Sequence, residues 1–150
     1  MISAHDQLDR RLADLAPLAT ALRPSRGWIR AIRDGLGMTT AQLARRMGVT
    51  QPRISELEKA EARGAITMAS LERAAEALGC RLAYALIPVE PLGETLHKRA
   101  AVIADRQLAS VEHTMRLEDQ GVTGTAPRAE ALRDLIAELQ RRPARLWDDG

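Results

Sequence analysis

The stretch "TAQLARRMGVTQPRISELEK", residues 40–59, decides the fold. Ala44 offers a small side chain, and Gly48 stands four positions later. Ile54 and Leu57 follow six and nine residues after Gly48, and Leu43, Met47 and Val49 complete an apolar set. Two helices that cross closely need the small residue at the crossing. They need a Gly where the turn demands positive φ, and apolar residues that lock the second helix onto the first. All these spacings are met at once, which is the pattern of a helix-turn-helix. Thr39 reads as the N-cap of the first helix, with Gln42 as its capping-box partner. Thr50 caps the second, whose Pro52 is tolerated in the first turn.

Working outward, Trp28, Ile29, Ile32 and Leu36 recur at helical spacing and are expected to face inward on a helix from about Ser25 to Leu36. Thr67 caps a further helix, "MASLERAAEAL", which Gly79 ends. Upstream, Leu8, Leu12, Leu15 and Leu22 predict an N-terminal helix over 5–22, kinked at Pro17. That makes a five-helix frame. In "CRLAYALIP", residues 80–88, Leu82, Tyr84 and Leu86 alternate with Arg81, Ala83 and Ala85. Alternation is strand periodicity. One strand needs a partner for its backbone groups, and the simplest partner is the same strand of a second copy. The reading is a homodimer, with an extended tail packed on the helices as the alternative.

"PVEPLG" marks a boundary, so the expected organisation is an N-terminal helical extension (1–24), a DNA-binding domain with its dimerisation strand (25–90), and a C-terminal helical arm (91–150). In the arm, a long helix is predicted over about 94–120. Leu96, Ala100, Ile103, Gln107, Val111, Thr114 and Glu118 form a stripe along it. "GVTGT" breaks the chain before a last helix over about 127–142, which carries Leu132, Leu135, Ile136 and Leu139. Pro143 ends it and "ARLWDDG" trails off.

The chain has 150 residues, 45% of them hydrophobic, with no Phe, one Tyr and two Trp. Ala, Leu, Arg, Glu and Gln favour helices, and few β-branched or aromatic residues remain for a sheet. The fold class expected is all-α, apart from the single strand. Net charge is only +2, but residues 10–53 hold nine Arg against two Asp, whereas residues 91–150 hold nine basic and ten acidic side chains. A basic half beside a neutral half points to nucleic acid for one and another partner for the other. Cys80 is alone, and His5, His97 and His113 lack metal-ligand spacing. No paired catalytic carboxylates or nucleotide-binding Gly loop occur, so neither enzymatic activity nor a cofactor is expected. With no apolar run of membrane length and no signal peptide, a cytoplasmic location is expected.

The start of a recognition helix points into the major groove. Gln51 suits adenine, Arg53 suits guanine or a phosphate, and Pro52 suits a thymine methyl. Thr50 is exposed beside them, with Ser55 and Glu56 one turn on. Glu56 either accepts from cytosine or pairs with a nearby Arg. Thr40 and Gln42 sit where helix-start amides hold phosphate. Arg45 and Arg46 read either as further contacts or as plain surface charge.

Residues 25–88 resemble the phage-repressor type of helix-turn-helix, and more closely antitoxin repressors in which a strand after the fifth helix pairs across a dimer. "TMRLED" resembles the inhibitory helix of Fic-domain adenylyltransferases, whose motif is Ser or Thr, three residues, Glu, then Gly or Asn. Thr114 matches the first position and Glu118 the Glu; Asp119 departs from the last. In that family the Glu occupies the active-site Arg that would hold the ATP γ-phosphate, a carboxylate competing with a phosphate for one guanidinium. From "LDRRLADL" to "TMRLEDQG" the chain is similar to the mobile mystery protein A family, whose members are encoded beside a Fic-domain protein. The resemblance implies an antitoxin that inhibits a Fic adenylyltransferase toxin through Thr114 and Glu118 and represses its own operon by binding operator DNA. The alternatives are a plain dimeric repressor with a dimerisation or ligand arm, and an antitoxin to another toxin class.

Overall fold

The computed structural model describes residues 1–21, 23–118 and 125–148. Among them are seven α-helices: α1 (Ala4–Ala13), α2 (Trp28–Gly35), α3 (Thr40–Met47), α4 (Gln51–Ala62), α5 (Met68–Ala77), α6 (Leu92–Leu117) and α7 (Thr125–Gln140). Two short 3-10 turns cover Ala16–Thr20 and Pro143–Trp147. The chain forms two compact units: Pro17–Leu86, and Met1–Ala16 together with Ile87–Gly150.

In the Pro17–Leu86 unit, Ile29, Leu43, Ala44, Ile54, Leu57, Ala74 and Leu78 form one buried cluster, with Met47 and Val49 packed against it. Each large aliphatic side chain here stabilises the unit by about 1.5–3 kcal/mol. Ala44 is 3% exposed, inside this cluster, where the sequence places the small residue of the crossing. Thr39 and Gln42 make the expected capping box: the Gln42 amide donates to Thr39 Oγ1 (3.1 Å), and the Thr39 amide donates to Gln42 Oε1 (2.8 Å). Gly48 ends α3 at φ 67°, which lets the Val49 amide reach back to the Ala44 carbonyl (2.9 Å).

Three expectations for this part of the chain need correction. First, the unit contains four α-helices, not five. The N-terminal helix is α1, which stops at Ala13 and belongs to the other unit; Leu22 lies outside the described residues. Second, residues 80–88 form no strand, and none occurs among the described residues. Leu82, Tyr84 and Leu86 lie on an irregular segment, because a lone strand has no ladder partner within one chain. Third, Ile29 is buried and Ile32 packs on the core, but Trp28 and Leu36 are exposed. The apolar arc of α2 is wider than the core it covers.

The second unit is built on α6. Ala100, Ile103 and Ala104 are buried with Ile136 of α7 and Leu146, flanked by Leu96, Leu132, Leu135 and Leu139. Two alanines one turn apart let α7 approach closely. Arg128 then bridges Asp105 (2.8 Å) and Glu112 (3.0 Å) on α6. The tail expected to trail off is instead packed: Leu146 is fully buried, and the Arg99 guanidinium lies 5.7 Å from the Trp147 ring centre. Pro91 stands at the N-cap of α6 and has no side-chain acceptor to offer. Asp9 of α1 supplies one: Oδ1 accepts from the Leu92 amide (2.7 Å) and Oδ2 from the Gly93 amide (3.0 Å). The predicted end of α6 at Gln120 and the "GVTG" break lie outside the described residues.

Candidate nucleic-acid interface and inhibitory segment

The face of α4 that meets solvent is set by what its other face must do. Ile54 and Leu57 are buried in the apolar core. Glu58 and Glu61 are buried as well, 7% and 3% exposed, so two carboxylates sit on the inner side and need partners there. Both are fully occupied. Arg33 Nε donates to Glu58 Oε1 (2.6 Å) and Arg33 Nη2 to Glu58 Oε2 (3.3 Å), a forked pair that ties α2 to α4. Donating to the Glu58 carboxylate raises the Arg33 pKa despite burial, and Arg33 Nη1 donates to the Met38 carbonyl (2.9 Å). Glu61 accepts from the Trp28 (2.6 Å) and Ile29 (2.9 Å) amides, capping α2 from 33 residues away. Gly27 has φ 87°, and a Cβ there would meet Glu61 Oε2 at 2.7 Å. Arg23 donates to the Glu61 (3.1 Å) and Ala62 (3.2 Å) carbonyls at the end of α4.

These four side chains fix the roll and tilt of α4. Sequence reasoning missed them. The available signal was two carboxylates at 58 and 61 within the buried stripe that starts at Ile54, since buried acids require named partners.

With α4 so oriented, Thr50, Gln51, Pro52, Arg53 and Glu56 are exposed, and Ser55 is partly buried. Thr50 has N-cap backbone geometry, but its hydroxyl makes no capping bond. Gln51 Nε2 donates to Thr40 Oγ1 (2.9 Å), which joins the first residues of α3 and α4. Thr40 is partly buried; Gln42 is exposed, with its carboxamide oxygen taken by the capping box. Arg53 Nη1 pairs with Glu56 Oε2 at 3.2 Å. Arg46 is turned to a structural purpose, donating through Nε to the Ala77 carbonyl at the end of α5 (2.8 Å).

Residues 29–84 match the helix-turn-helix family model. The match covers just over a third of the chain and encloses α3, the Gly48 turn and α4. It supports a DNA-binding module of the phage-repressor type. No curated protein and no solved structure matches the chain.

In the other unit, the stripe along α6 changes character. Leu96, Ala100 and Ile103 pack inward, but Val111, Thr114 and Glu118 are exposed. Thr114 Oγ1 donates to the Ser110 carbonyl (3.1 Å), bonding to its own helix. Glu118 is the C-cap residue, and its amide reaches the Thr114 (3.3 Å) and Met115 (3.2 Å) carbonyls. Its carboxylate therefore stands at the negative end of the helix dipole, where an acid costs stability. Among the described residues, no group of three or more His, Cys, Asp or Glu could hold a metal, and no helix is long and apolar enough to cross a membrane.

Proposed function

We propose that the chain is a dimeric antitoxin. In this reading α4 binds operator DNA and represses the chain's own operon, and the end of α6 inhibits a Fic-domain adenylyltransferase. The observation that carries the DNA half is the exposed face Thr50–Glu56, held by buried pairs on the opposite side of α4. Gln51, Pro52 and Arg53 are the base-reading residues, with Ser55 and Glu56 one turn on; Thr40 and Gln42 hold the flanking phosphate. Of the nine Arg in residues 10–53, Arg26, Arg30, Arg45, Arg46 and Arg53 lie outside the buried Arg33–Glu58 pair in the same unit as α4 and supply positive charge there.

Dimerisation through residues 80–88 is supported by their unused backbone. No backbone hydrogen bond joins residues 81–89 to any described residue. Tyr84 and Leu86 are 78% and 89% exposed, and Leu82 borders an apolar groove with Trp28, Ile32, Leu71 and Leu78. A second copy would complete the ladder and cover the groove, placing two α4 helices on a palindromic operator.

The inhibitory half is supported by the motif resemblance and by the position of Glu118. An acid that helps neither the helix end nor any packing contact is well suited to a partner's guanidinium. The chain itself performs no chemistry in this reading. The test is an adenylylation assay on the protein encoded next to this chain, with labelled ATP and either wild type or Glu118→Gln. Suppression of labelling by wild type and not by the variant supports the inhibitory role. Equal behaviour of the two forms, or a neighbour that transfers no label, rejects it and leaves a dimeric repressor.

A further inference from the structure

The exposed face of α4 carries an acid where DNA-facing helices favour bases and amides. Glu56 is one helical turn from Arg53 and from Pro52, and its side chain is 68% exposed. Its partner Arg53 is 52% exposed, and the two are joined at 3.2 Å. Neither group takes part in the buried pairs that orient α4, so the exposed pair contributes at most the small stabilisation of an ordinary i,i+3 ion pair to the helix.

We propose that Arg53 and Glu56 act together as a discriminator that reads G·C base pairs and weakens binding to all other DNA. The inference rests on the DNA-binding reading of α4. Its physical basis is the donor and acceptor pattern of the major groove. Guanine presents two acceptors, N7 and O6, which match the Arg53 fork. The cytosine opposite presents the N4 amino donor, which a carboxylate accepts. Both side chains are therefore satisfied at a G·C pair, or at adjacent pairs, while remaining in contact with each other.

At other sequences the same geometry is unfavourable. An A·T pair offers no guanine fork acceptor, and the thymine O4 faces the Glu56 carboxylate as a second acceptor. On non-specific DNA, Glu56 neutralises Arg53 and repels phosphates. That removes about one cationic charge from the sequence-independent attraction. Specificity then comes from a repulsive element as much as from an attractive one.

The experiment is selection of bound duplexes from a random pool by the full chain, followed by titration of selected and scrambled duplexes across a salt series. Wild type, Glu56→Gln and Arg53→Lys are compared. Wild type is expected to enrich a G·C pair at a fixed position in each half-site. Glu56→Gln should bind scrambled DNA more tightly, and its ratio of specific to scrambled affinity should fall about tenfold. Its salt slope should steepen by roughly one unit. Arg53→Lys keeps the charge without the fork, so it should lose the base preference at an unchanged salt slope. Selection by wild type with no fixed G·C pair overturns the inference, as does a Glu56→Gln variant with unchanged preference and slope. Enrichment of no sequence at all by wild type overturns the DNA-binding reading together with this one.

Discussion

The two units solve the same problem, holding a helix for outside use, by different chemistry. In the Pro17–Leu86 unit, α4 is fixed by buried charge: Arg33 with Glu58, and Glu61 on the α2 amides. In the other unit, α6 is held by an apolar seam and an alanine pair, with Asp9 on its first amides and Arg128 of α7 on Asp105 and Glu112 at the surface. Charged pairs are directional, so they set the rotation of a short helix and with it the exposed face of its first turns. The seam runs along the first half of the 26-residue α6, and Leu117 and Glu118 at its end are exposed. The difference teaches where each unit leaves side chains free of orienting contacts: the start of α4 in one, the end of α6 in the other.

The largest expected effect attacks the charged tie. Glu58→Ala leaves the Arg33 guanidinium buried without its forked partner, and the Pro17–Leu86 unit should lose about 3–5 kcal/mol. Amide exchange resolved along the chain should show the loss in α2–α5 and little change in α6 and α7. Equal loss in both units would mean that the two are not separately held.

Next is the tie at the start of α6. Asp9→Ala removes the acceptor for two helix-start amides, with an expected cost of about 1–2 kcal/mol. The Leu92 and Gly93 amides should exchange much faster while the α4 amides stay protected. Unchanged protection at Leu92 and Gly93 would show that Pro91 needs no cap from α1.

The smallest effect concerns the tip of α6. Glu118→Gln removes an acid from the negative end of the helix, so stability should hold or rise by about 0.3–1 kcal/mol in thermal melts at low salt. A clear loss of stability would give Glu118 a structural purpose and weaken its assignment to a partner.

The helix-turn-helix was legible because its signals are local. Thr39, Gln42, Ala44 and Gly48 act within a few residues of themselves, and the apolar spacing to Ile54 and Leu57 needs only one turn geometry. What was not legible depends on long separations in sequence. Glu61 and Ile29 are 32 residues apart, and Asp9 and Leu92 are 83 apart. Nothing near Asp9 announces that α1 serves the C-terminal helices rather than the DNA-binding ones. Residues 80–88 have strand periodicity, but a strand exists only with a partner, and one chain does not supply it. Leu146 looked like part of a tail because a single Leu among Arg, Trp and Asp has no period to reveal burial.

The most direct test of the division of labour is a titration of duplex DNA from upstream of the chain's own coding region, at fixed salt. It would compare wild type, the double variant Gln51→Ala with Arg53→Ala, and Glu118→Gln. Loss of about a hundredfold in affinity by the double variant, with Glu118→Gln binding as wild type, is the predicted result. Wild-type affinity in the double variant, or a matching loss in Glu118→Gln, would contradict the assignment of α4 to DNA and of the α6 tip to a partner.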